Sequence, residues 1–107
     1  MSKVDNAIDQ LVAEILNTDE YHDYDEQRNK VKQFPELKAK IDEFRERRFL
    51  IQNSDDGSSM EKMEEFEREY SDFRENPLVS DFLAAELAFC RMMQDVNLRI
   101  TEAVHFE

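Results

Sequence analysis

The residues with the widest chemical repertoire in this sequence are two histidines, one cysteine and a run of arginines. Glu102-x-x-His105 matches the Glu-x-x-His element with which carboxylate-bridged di-iron bundles hold metal. Such a site needs two of these elements and two further inward glutamates. The other histidine, His22, sits in Tyr21-His22-Asp23 and has no glutamate three residues before it. A thiolate at Cys90 could attack or ligate, but one cysteine excludes an internal disulfide and every multi-cysteine zinc pattern. Its place on an apolar helical row reads as a small buried residue. No Ser/His/Asp or Cys/His arrangement is visible, and one glycine leaves no Gly-rich phosphate loop. The expectation is therefore a non-enzyme with no catalytic residues, no metal and no cofactor. A metal-binding or enzymatic bundle built on Glu102, His105 and Cys90 is the weakest alternative.

Charge points to contacts rather than catalysis. Twenty-six acids against fourteen bases give −12. Residues 1–27 carry −7 and residues 49–107 carry −9, while residues 28–48 carry +4 from eight bases and four acids. Within the basic segment, Arg45, Arg47 and Arg48 are the candidate partner contacts. The same chemistry serves phosphate or acidic helices. The whole-chain field repels polyanions and anionic lipid, so pairing with acidic helices of this chain or of a partner is expected. An RNA-associated regulator using this segment is the alternative reading.

The elements that must position these residues follow from the scarcity of turn formers. One glycine and two prolines in 107 residues leave Asp56-Gly57 as the sole tight-turn candidate, so an all-β fold is excluded. Forty per cent hydrophobic residues, with eight Phe and three Tyr, suffice for one small core. The expectation is an all-α bundle of about five helices forming a single domain over residues 1–107. Ser2-x-x-Asp5 is a capping box before Ile8, Leu11, Val12, Ile15 and Leu16, which are spaced 3, 1, 3, 1. Asn17-Thr18-Asp19 can cap a more polar helix bearing Tyr21, Tyr24 and Val31. Phe34-Pro35 ends it, and Pro35 opens a third helix with Leu37, Ile41, Phe44 and Ile51, widened by Phe49 and Leu50. Residues 53–59 form the clear loop. Ser58-x-x-Glu61 is a second capping box, and Met60, Met63, Phe66, Tyr70 and Phe73 form one run. Asn76-Pro77 caps the last helix.

That last helix, residues 77–104, would be about 40 Å long. Phe82, Glu86, Phe89, Met93, Val96, Ile100 and Ala103 are spaced 4, 3, 4, 3, 4, 3, a heptad seam with one polar member. Val79, Leu83, Leu87 and Cys90 form a second row beside it. Two apolar rows imply contact on two sides: one with the chain's own helices, one with a second copy. Val79, Phe82, Leu83, Phe89, Met93, Val96 and Ile100 are the expected oligomer-interface residues. Met60, Met63, Met92 and Met93 read as core more readily than as an adaptable binding surface. The longest apolar stretch, residues 82–90, is too short to cross a bilayer, and the N-terminus has no apolar leader core. A soluble cytoplasmic protein is expected.

Three phrases carry a family resemblance. Glu20-Tyr21-His22-Asp23-Tyr24 follows the first helix. Phe34-Pro35-Glu36-Leu37-Lys38-Ala39-Lys40-Ile41-Asp42-Glu43-Phe44-Arg45 comes next, and then Asn76-Pro77-Leu78-Val79-Ser80-Asp81-Phe82-Leu83-Ala84-Ala85-Glu86. With Phe89, Met93, Val96 and Ile100 behind them, they resemble the YlbF/YmcA family of small helical bacterial proteins over nearly the whole chain. The resemblance implies an all-helical fold whose long C-terminal helix mediates dimers or larger oligomers, and no enzymatic activity. It also implies regulatory partners: competence, biofilm and RNA-processing control, with ribonuclease Y-type machinery. Some members carry a cysteine-containing C-terminal extension linked to iron–sulfur binding. This sequence ends at Glu107 without one, so no cluster is expected.

Overall fold

A computed structural model describes residues 2–54, 57 and 59–105. Among these it holds six helices and no strand: α1 (Lys3–Leu16), α2 (Asp19–Lys32), α3 (Pro35–Gln52), α4 (Ser59–Glu69), α5 (Ser71–Glu75) and α6 (Pro77–Ala103). The all-α class and the long last helix are as expected. The sixth helix comes from a break that hydrophobic spacing does not reveal.

Local chemistry sets the boundaries. The capping box of α1 is complete: the Asp5 amide donates to Ser2 Oγ at 3.1 Å, and the Ser2 amide to Asp5 Oδ2 at 3.3 Å. These bonds satisfy amides that a helix start leaves orphaned. Thr18 does the same for α2, its Oγ1 accepting from the Tyr21 amide at 3.1 Å. Pro35 and Pro77 open α3 and α6, where a missing amide hydrogen costs nothing. Asn76 Oδ1 accepts from the Leu78 amide at 3.0 Å, capping α6 as expected. Gly57, at φ +76°, takes the left-handed conformation that suits glycine. Asp55, Asp56 and Ser58 lie outside the described residues, and with them the turn at Asp56 and the Ser58 capping box. The run from Met60 to Phe73 divides at Tyr70 (φ −102°, ψ 12°), which ends α4 and begins α5. The Tyr70 amide still donates to the Phe66 carbonyl, so the break is a bend in an almost continuous ladder.

The chain forms two compact units: Met1–Arg28 with Phe82–Glu107, and Asn29–Asp81. The division falls inside α2 and inside α6. Eight hydrophobic residues are fully buried among those described. Seven of them, Val31, Ile41, Phe44, Phe66, Tyr70, Phe73 and Val79, belong to the central unit, Asn29–Asp81. Its core is aromatic. The Phe44 ring lies 5.0 Å from Phe66, 5.3 Å from Tyr70 and 5.6 Å from Phe73, and Phe66 and Tyr70 are 4.9 Å apart. Offset and edge-on arrangements of this kind add to the energy of area burial.

The terminal unit buries only Phe82 among its described residues. There α2 meets α6 through rings. Tyr24 stacks on Phe89 at 5.3 Å and an interplanar angle of 5°, and Tyr21 lies 5.6 Å from Phe89. Arg28 lies over Tyr24 and donates to Asp25.

Candidate interaction surface

The basic segment is largely engaged inside its own unit. Arg47, on α3, makes a two-pronged contact with Glu69 on α4: Nη1 to Oε1 at 2.8 Å and Nη2 to Oε2 at 2.9 Å. The same guanidinium donates to the Tyr70 hydroxyl at 3.2 Å and lies over the Phe66 and Tyr70 rings. Tyr70 in turn donates to Glu43 Oε1 at 2.9 Å. Bonding to Glu69, and then to Tyr70, holds the Arg47 pKa above its ordinary value, and Arg47 holds the Glu69 carboxyl below its own. Burial pushes the Tyr70 phenol up.

Arg45 donates to Asp42 at 2.6 Å and Lys38 donates to it at 3.2 Å, which lowers the Asp42 pKa, Arg45 contributing most. Arg48 and Arg74 sit over the Phe44 ring at 5.3 and 5.8 Å, and Lys40 sits over Phe73 at 5.4 Å. The cationic heads thus lie against aromatic faces, an electrostatic attraction to the ring quadrupole. Arg45, Arg47 and Arg48, singled out from the sequence for partner contact, all have intrachain roles. The intrachain pairing of the segment with acidic helices is visible in the Arg47–Glu69 link.

The terminal unit presents the opposite case. Helix α1 has a clean apolar stripe, yet none of its residues is buried. Val4 is 68% exposed and Ile8 51%, and Leu11, Val12 and Leu16 are also exposed. A 14-residue helix is marginal alone in water, because most helix stability in proteins comes from packing an amphipathic face. Burying five half-exposed aliphatic side chains would contribute on the order of 1 kcal/mol each.

Along α6 the burial fades. Val79 and Phe82 are covered within the chain, Leu83, Phe89, Met93 and Val96 are half-buried, and Ile100 is 48% exposed. Seven residues read from the sequence as one oligomer face therefore divide by position. The N-terminal ones serve intrachain packing, and those toward the C-terminus stay open. Leu87 and Leu98, absent from that expectation, are exposed as well. The α1 stripe was equally absent from it. Its spacing marks a face to be covered and says nothing about what covers it.

Three other expectations change. Cys90 is exposed rather than buried: the α2 rings meet α6 at Phe82 and Phe89, in the neighbouring row. Phe49 and Leu50 are exposed and do not widen the α3 stripe into the core. Met60 is 76% exposed, while Met63, Met92 and Met93 are half-buried. Among the described residues, no group of three or more His, Cys, Asp or Glu side chains converges as a metal site. No helix among them is long and apolar enough to cross a membrane.

Residues 4–105 match the family model described as control of competence regulator ComK, YlbF/YmcA. The chain belongs to the YlbF/YmcA family. The match reaches into all six helices. No curated protein and no solved structure matches.

Proposed function

We propose that this chain is a non-catalytic cytoplasmic adaptor that works as a homo-oligomer in competence-type regulation. Its exposed α1 stripe and the open C-terminal part of α6 form the self-association surface. The observation that carries this reading is α1: an amphipathic helix with a complete cap and no buried residue. A helix of that length keeps its fold only if its apolar face is covered. The α6 contribution centres on Met93, Val96 and Ile100, and Leu83 and Phe89 add their uncovered edges. Val79 and Phe82, buried within the chain, lie outside this face. The family's description as control of a competence regulator supports an adaptor that holds other regulatory proteins. Ribonuclease Y-type machinery is one such partner in this reading.

Light scattering on the purified chain at micromolar concentration tests the reading. The expected mass is a multiple of 12.8 kDa. Ile100→Glu places a charge at an open seam position and should lower that mass with little loss of helicity. Phe89→Glu is a less clean probe, because Phe89 also stacks on Tyr24.

A further inference from the structure

A second uncovered apolar area lies in the central unit, where α3 ends and α4 begins. Phe49, Leu50 and Met60 are 63%, 61% and 76% exposed. Two grooves run along the seam of these helices, and Ile51 lines both. The first, about 260 Å³, has Leu50, Ile51 and Phe66 as its apolar lining, with Lys62, Glu65 and the Arg47–Glu69 pair beside them. The second, about 390 Å³, is lined by Met60 and Met63, flanked by Glu64 and Glu67.

Arg47 and Lys62 line the first groove, whereas the charge lining the second, from Glu64 and Glu67, has one sign. Helix α4 carries five glutamates against Lys62 and Arg68, and of the five only Glu69 is held by Arg47. Glu61, Glu64, Glu65 and Glu67 are exposed. An apolar groove with an acidic rim selects a helix that is apolar on one side and cationic on its flanks. Methionines at the centre suit this, since an unbranched thioether adapts to irregular partners. A second copy of the chain does not supply the complement. It brings the same −12, and the arginines of its basic segment are engaged as described above.

We propose that the α3/α4 end docks a Lys/Arg-rich amphipathic helix of a partner protein. This rests on the adaptor reading and assigns it a second surface, separate from the self-association face. The test uses the intact chain with ¹³C-methyl-labelled methionine. The probe is a synthetic Leu/Lys peptide with helical spacing, with a scrambled isomer of equal charge as control. Met60 and Met63 methyl signals should shift saturably with the helical peptide, while Met92 and Met93 signals stay put.

Met60→Ser, at an exposed position and with unchanged helicity, should weaken binding about tenfold, the size of one lost anchor, with the Met63 methyl as the remaining reporter. Glu64→Lys with Glu67→Lys should weaken it further and flatten its salt dependence. Equal binding of the scrambled isomer, shifts confined to Met92 and Met93, or unchanged affinity in these variants would each overturn the proposal. So would movement of Met60 and Met63 on concentrating the protein without peptide, because the groove would then belong to a second copy. The adaptor reading fails on a separate signal: Met92 and Met93 methyls that ignore dilution of the protein.

Discussion

The central and terminal units solve the same problem, covering apolar helix faces, in different ways. Asn29–Asp81 covers its aromatic centre: Phe44 sits amid a cluster of rings with cations over them, and the apolar residues left open, Phe49, Leu50 and Met60, lie at the α3/α4 end. Met1–Arg28 with Phe82–Glu107 leaves most of its apolar surface open, although α1 is the more regular amphipathic helix. The contrast shows that amphipathic regularity measures how much needs covering. Whether the chain does the covering depends on ring-sized side chains facing each other, which α3, α4 and α5 have and α1 lacks.

The comparison breaks first at Phe44. Phe44→Ala removes the ring at the centre of the cluster and should cost about 3–5 kcal/mol, enough to unfold a small domain. Urea denaturation followed by circular dichroism reads it. A loss below about 1 kcal/mol would mean that the central unit does not support itself.

The next effect falls on association. Ile8→Glu with Val12→Glu puts two charges on the α1 stripe. The mass should fall to 12.8 kDa and α1 should fray, while the α3–α4 core stays protected from hydrogen exchange. Simultaneous loss of protection in both units would erase the distinction between them.

A smaller effect belongs to Tyr70, whose hydroxyl links Arg47 and Glu43. Tyr70→Phe keeps the ring and should cost about 0.5–1.5 kcal/mol, with oligomer mass unchanged.

The smallest is acid sensitivity. The Glu69 and Asp42 carboxyls are held below their ordinary values of 4.5 and 3.8 by Arg47 and Arg45. The stability they add is complete above those values and fades as pH falls through the lowered ones. Both groups are half-exposed, so solvent screening keeps the contribution slight. Glu69→Gln should lower the thermal midpoint slightly near pH 7, leave it unchanged in acid where Glu69 is already protonated, and so remove part of its acid dependence.

Much of this architecture is legible in the residues. Ser2, Pro35, Asn76 and Pro77 mark helix starts through cap and ring chemistry that acts within one turn, so each boundary is local. Ile41, Phe44 and Phe66 are recognisable as core from spacing and size. What spacing does not resolve is allocation. Ile8 and Ile41 occupy equivalent places on their stripes, and one is half-exposed while the other is buried. The break at Tyr70 is hidden because Phe66, Tyr70 and Phe73 keep helical spacing across it. Cys90 looks like core because it shares a row with Val79, yet Val79 is buried and Cys90 exposed. Arg47 looks like a partner contact because its partner, Glu69, lies 22 residues away and no local rule pairs them.

The central claim is that α1 is folded because another copy covers it. Hydrogen exchange across Lys3–Leu16, measured over a range of protein concentrations alongside light scattering, addresses it directly. The account predicts that α1 amides are protected when the mass is a multiple of 12.8 kDa and lose protection on dilution, while α3 and α4 amides do not change. A monodisperse 12.8 kDa species at micromolar concentration, with α1 protected equally at every dilution, would contradict it.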